Sequence, residues 1–142
     1  MFRDGERHGD GQATYPNGNR FKGWWEANIP KKGELIMQGG DRLSGEWKDD
    51  RFSGAGQILY RNGNVYEGEW KKNMPMNFGI MKYRDGSTYN GQWDFGHRHG
   101  NGIMHYRNAD VYEGEWNRDV RHGYGVLNLK DRGVYEGEWV ND

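Results

Sequence analysis

The sequence contains no cysteine, so disulfides play no part in its stability, and a reducing compartment is expected. It has no apolar run of 18 residues, so no membrane-spanning helix is expected. Its opening residues, MFRDGERHGDG, lack the apolar stretch of a signal peptide. An intracellular, cytoplasmic protein is the expectation. Charge of one sign is missing as well: the net charge is −1 with acids and bases interspersed, which argues against nucleic acid as a partner. Serine occurs only as Ser44, Ser53 and Ser87, none in a nucleophile-elbow setting. Apolar residues make up only 33% of the chain and mean hydropathy is −1.20, values that by themselves border on disorder.

What is present opposes disorder. Seven Trp, nine Tyr and five Phe bury more area per residue than other types, so a few per unit can hold a thin structure together. They also recur. The pattern aromatic-or-Leu, x, Gly, x, Trp appears at Phe21–Trp25, Leu43–Trp47, Tyr66–Trp70, Tyr89–Trp93, Tyr112–Trp116 and Tyr135–Trp139. The tryptophans are spaced 22, 23, 23, 23 and 23 residues apart, which defines one array over residues 1–142 of about six 23-residue repeats. Stepping back another 23 residues from Trp25 reaches Phe2. Glycines follow each Trp at seven and nine residues, as in Gly54/Gly56, Gly100/Gly102 and Gly123/Gly125. In the Trp70 repeat Asn77 takes the first slot and Gly79 the second; the Trp25 repeat is one residue short, with Gly33 in the second slot.

Each unit reads as two strands. Tyr-Glu-Gly-Glu-Trp alternates apolar and polar with period two, and so do Ile58/Tyr60, Met81/Tyr83, Met104/Tyr106 and Leu127/Leu129. Asn17-Gly18, Asn62-Gly63 and Asp85-Gly86 supply the positive φ of tight hairpin turns; Asn108-Ala109 and Asp131-Arg132-Gly133 are expected to turn differently. Glycine every few residues disfavours helix by about 1 kcal/mol each. The Gly between Tyr and Trp is expected to leave a notch for a neighbouring hairpin's ring. The fold class is therefore all-β, with hairpins that bury a face only by stacking.

The residues quoted, Tyr-Glu-Gly-Glu-Trp, then Arg121-His122-Gly123-Tyr124-Gly125, then Asn-Gly, resemble the MORN repeat (membrane occupation and recognition nexus) over essentially the whole chain. The resemblance implies an elongated, twisted, single-layer antiparallel sheet of stacked hairpins whose aromatic residues line one groove. It implies no catalysis and no cofactor. It further implies a scaffold or adaptor at a cytoskeletal, ciliary or membrane-associated structure, gripping a partner helix or extended segment. The groove residues are then Tyr66, Trp70, Tyr83, Tyr89, Trp93, Tyr106, Tyr112 and Trp116. Peripheral membrane attachment through phosphoinositides is the rival from another class; a net charge of −1 speaks against it.

Other residues carry sharper and blander readings. Arg98-His99 and Arg121-His122 recur in register, and such a row has the chemistry to meet phosphates; packing over the hairpin end is the plainer role. Zinc is not expected, with no Cys and no tight carboxylate–His cluster. The Glu pairs (Glu67/Glu69, Glu113/Glu115, Glu136/Glu138) alternate with the rings and so form a solvated outer face rather than a catalytic pair. The glycine pairs never extend to Gly-x-Gly-x-x-Gly, which excludes a dinucleotide site. On the outer face of the C-terminal half stand Ile103, Val111, Val126 and Val134, where self-association into a homo-oligomer is expected.

Overall fold

A computed structural model describes the backbone of residues 2–3, 6–48, 51–71 and 74–140. The chain forms two compact units, Met1–Asn73 and Met74–Asp142. In the first, a short hairpin of β1 (Phe2–Arg3) and β2 (Glu6–Arg7) precedes six strands: β3 (Gly9–Thr14), β4 (Arg20–Glu26), β5 (Ile29–Ile36), β6 (Arg42–Lys48), β7 (Arg51–Leu59) and β8 (Val65–Lys71). In the second the strands are β9 (Met74–Lys82), β10 (Thr88–Asp94), β11 (His97–His105), β12 (Val111–Asn117), β13 (Val120–Leu129) and β14 (Gly133–Trp139). Within each unit successive strands of the six pair antiparallel, a single-layer meander. No helix occurs among the described residues.

Register is set by glycine. Gly11, Gly23, Gly33, Gly45, Gly56 and Gly68 stand opposite one another across β3–β8. Gly79, Gly91, Gly102, Gly114, Gly125 and Gly137 do so across β9–β14. The backbones approach too closely for anything larger: a Cβ on Gly23 would lie 2.2 Å from the Lys32 carbonyl oxygen and 2.7 Å from Gly33 Cα. The expected notch exists, but a neighbouring hairpin's ring is only part of what fills it. At Gly56 it is Trp70 of the next repeat, whereas at Gly102 and Gly125 it is Tyr89 and Tyr112 of the same hairpin.

Two turn types alternate. After each described Trp hairpin end, Ala27-Asn28 (φ 46°, 68°), Phe95-Gly96 (44°, 83°) and Arg118-Asp119 (45°, 71°) have both residues at positive φ, the two-residue type I′ geometry. At the other edge the Asn-Gly segments are not two-residue turns. Tyr15 N donates to the Asn19 carbonyl (2.8 Å), Gly18 N donates to the Tyr15 carbonyl (2.9 Å), and Asn17 Oδ1 accepts from Asn19 N (2.9 Å). Only the glycine adopts positive φ, at 91°, while the Asn braces the turn with its side chain. Asn108-Ala109 forms the same turn, contrary to expectation: Tyr106 N reaches Asp110 O (2.9 Å), Ala109 N reaches Tyr106 O (3.0 Å), and Ala109 sits at φ 75°. The hydrogen bonds hold an alanine where glycine is the unstrained choice.

A bulge lies just beyond Trp47, Trp93 and Trp116. Between the pairs Gly91↔Gly102 and Trp93↔Arg98, β10 contributes one residue and β11 three; β12 and β13 repeat this between Gly114↔Gly125 and Trp116↔Arg121. The first glycine of each pair takes positive φ there (Gly100 69°, Gly123 66°), and Asn77 does the same at 61°. In the short repeat the pairs are Trp24↔Lys32 and Trp25↔Pro30, leaving Lys31 alone unpaired. The missing residue is thus absorbed in the bulge, and the glycine row stays in register.

Candidate functional site

The ring face is built from one repeated contact set. Each Tyr folds back along its own strand and donates from its hydroxyl to the carbonyl three residues on: Tyr89 to Gln92 and Tyr112 to Glu115, both 2.9 Å, with Tyr66 bonded likewise to Glu69. Four of the tryptophans lie across the previous hairpin and donate from Nε1 to a glycine carbonyl fourteen residues earlier. Trp25–Gly11, Trp93–Gly79, Trp116–Gly102 and Trp139–Gly125 measure 3.2, 3.1, 3.2 and 3.3 Å. Tyr89 therefore meets two indoles edge-on, Trp93 at 5.0 Å and Trp116 at 5.4 Å; Tyr112 meets Trp116 and Trp139 at 5.1 and 5.5 Å. Such pairs favour this T-shaped geometry.

This packing closes most of the expected groove. Tyr66, Tyr89 and Tyr112 are 0% exposed, and Trp70, Trp93 and Trp116 are buried with them. Those six are stacking core; Trp116 of the next repeat covers Tyr89, and Trp139 covers Tyr112. Tyr135, beyond which no further repeat is described, is 48% exposed. Of the eight groove residues only Tyr83 and Tyr106 keep accessible surface; both are half-buried at the margin of the ring face. Burial pushes the Tyr89 phenol far above its ordinary value. It also raises Tyr83, opposed by the nearby Arg98 guanidinium, which stands 5.8 Å from the Tyr83 ring.

The Arg-His pairs divide between the two faces. Arg98 and Arg121 lie on the ring side, with guanidinium carbons 4.8 Å over Trp116 and 4.4 Å over Trp139. His99 and His122 point to the other side and are exposed. No single row presents all four to one anion, which favours the packing role. Arg98 is also engaged by Asp119: its amide and Nε bond Asp119 Oδ1 (2.8 and 3.3 Å), and Nη2 donates to the Asp119 carbonyl (2.9 Å). His97 Nδ1 lies 2.7 Å from Asp119 Oδ2. Partial burial would raise the Asp119 carboxyl, but His97 and Arg98 together hold it below the usual carboxylate range.

The second edge is fastened by side chains from one turn to the next. Asn19 Oδ1 accepts from Gln38 N (2.9 Å), Asp41 Oδ1 from Arg61 N (2.7 Å), Ser87 Oγ from Arg107 N (3.1 Å) and Asp110 Oδ1 from Lys130 N (2.9 Å). The Glu pairs are exposed, as expected, yet they are not equivalent: Glu115 accepts from Tyr124 N (2.6 Å) inside the bulge, as Gln92 does from Asn101 N (2.7 Å). Sequence reasoning missed that role, and the nine-residue spacing beside the first glycine was its signal. It also passed over Trp24, which stands where the other repeats hold Glu or Gln. Trp24 is 39% exposed and borders an open pocket of about 580 Å³ with Lys31, Lys32 and Glu46. Ile103, Val111 and Val126 are half-buried and Val134 is 60% exposed, all on the outer face. Among the described residues no three His, Asp or Glu gather to hold a metal ion, and no helix is long and apolar enough to cross a membrane.

The family model described as MORN repeat matches residues 1–20, 44–65, 66–88, 89–111, 112–134 and 135–142. The chain belongs to the MORN-repeat family. The unmatched stretch between the first two MORN matches holds the repeat that is one residue short and ends on Leu43, which stands in the Tyr slot. No curated protein matches the chain. Among solved structures, this MORN array is similar to the TCP domain of SAS-4 (dCPAP) of Drosophila melanogaster in complex with a proline-rich motif of Ana2 (dSTIL). The identity is 16% and the TM-score 0.47, covering 92% of this chain and 85% of that one.

Proposed function

We propose that the array is a non-catalytic scaffold whose C-terminal unit binds a protein segment along the margin of its ring face. The observation that carries this reading is the set Tyr83, Tyr106, Arg98 and Arg121: half-buried side chains, with Arg98 over the buried Trp116 ring and Arg121 over the buried Tyr112 ring. Tyr and Arg are the side chains most enriched where binding energy concentrates. A floor held by Tyr–carbonyl and Trp–carbonyl bonds loses little further freedom when a partner arrives. The partner segment supplies apolar contacts to the phenol rings and acceptors to the hydroxyls and guanidiniums.

A photo-crosslinking residue in place of Tyr106 tests this. It should capture a protein, and Arg121→Gln in the same chain should reduce the adduct while the melting curve stays folded. Capture indifferent to every ring-face substitution would put the interface elsewhere. Co-sedimentation with phosphoinositide vesicles, lost in Arg121→Gln, would favour the membrane reading instead.

A further inference from the structure

The face of the C-terminal unit opposite its rings has a chemistry that the repeat pattern alone does not require. Cross-strand partners align Ile80, Asn90, Ile103, Glu113, Val126 and Glu136 in one row over β9–β14. The corresponding row of the N-terminal unit is Gln12, Lys22, Glu34, Ser44, Gln57 and Glu67, polar throughout. Beside the apolar positions Phe78 and Tyr124 are 59% and 51% exposed. The outward positions of β12, β13 and β14 carry Glu113, Glu115, Glu136 and Glu138 and no Lys or Arg. Glu136 accepts from the Tyr124 hydroxyl (3.2 Å), a contact that leaves its negative charge in place.

Spacing and charge together select an occupant. Ile80, Ile103 and Val126 stand two strands apart, roughly 9.6 Å at ordinary strand separation. Seven residues of α-helix advance roughly 10.5 Å, so one apolar residue every second turn meets successive members of this row. Glu113 lies between Ile103 and Val126 and Glu136 just beyond Val126, where flanking cations of the helix would fall. We propose that this outer face docks an amphipathic helix of a partner protein, apolar at every seventh position and flanked by Lys or Arg. A second copy fits less well, since the described residues hold no helix and back-to-back pairing of this face sets Glu against Glu. The inference is independent of the ring-face reading, because the two faces share no side chain.

The test uses the whole chain and a synthetic Leu-heptad helix of about 21 residues flanked by Lys, with a Glu-flanked counterpart, read by fluorescence anisotropy. The Lys peptide should bind and the Glu peptide should not. Glu113→Lys with Glu136→Lys should weaken the Lys peptide at least about tenfold and admit the Glu peptide. Val126→Asp should weaken it too, whereas Tyr106→Phe should leave it unchanged. Equal binding of both peptides, or undiminished binding by the charge-reversed variant, would overturn the proposal. So would a concentration-dependent dimer in sedimentation that Val126→Asp abolishes, which would assign the face to a second copy.

Discussion

The Trp116 indole donates to the Gly102 carbonyl at 3.2 Å, fourteen residues earlier, and so ties one repeat to the one before it. The same glycine has no room for a side chain: a Cβ there would lie 2.1 Å from the Tyr89 hydroxyl oxygen and 2.3 Å from Cζ. Gly102→Ala should therefore cost about 3 kcal/mol, the scale of overpacking in a well-filled core. Urea unfolding followed by Trp fluorescence measures it. A loss within about 0.5 kcal/mol, as at an ordinary surface site, would show that the Tyr89 ring can move aside.

Ala109 offers the opposite sign. It holds φ 75° in a turn whose counterparts use Gly18, Gly40, Gly63 and Gly86. Ala109→Gly relieves left-handed strain of about 1–2 kcal/mol, less the entropy glycine adds to the unfolded chain. A net gain of about 0.5–1 kcal/mol is expected, and a destabilised variant would contradict the strain assignment.

Glu113 and Glu115 flank the same glycine and both face solvent. Glu115→Ala removes the acceptor of the Tyr124 amide and should cost about 1 kcal/mol. Glu113→Ala should shift stability by at most about 0.5 kcal/mol. Identical melting of the two would remove the bulge brace from the account.

Asp119 gives the pH dependence. Its carboxyl is held below the usual range in the folded state, so its contribution is fully present above the ordinary carboxylate pKa of about 3.9 and disappears as pH falls through the lower folded value. The melting temperature of Asp119→Asn should lie below wild type near neutrality and converge with it in that acid window. A gap that stayed constant down to the lowest pH would assign the loss to packing.

Much of this was legible in the residues. The alternation of Tyr112, Gly114 and Trp116 with Glu113 and Glu115 fixes which face each takes, and the structure keeps that division. The same parity separates Arg98 from His99, so their opposed faces were readable too. What period two does not encode is how far a ring reaches. Whether Tyr89 lines a groove or fills it depends on Trp116, a full repeat away, lying down across Gly102. The Asn108-Ala109 turn was hidden for a different reason: about 1 kcal/mol of strain is small enough for two backbone hydrogen bonds to override.

The bulge beside Trp25, Trp47, Trp93 and Trp116 has a consequence for how such a chain can change. The short repeat shows that a residue can vanish there while Gly23 still faces Gly33 and Gln38 N still reaches Asn19. Length variation confined to that address preserves phase: every side chain beyond it keeps its side of the sheet. A deletion anywhere else in a strand would send the glycine row outward and the carboxylates in among the rings. Repeats of this kind can thus drift in length without exchanging the chemistry of their two surfaces.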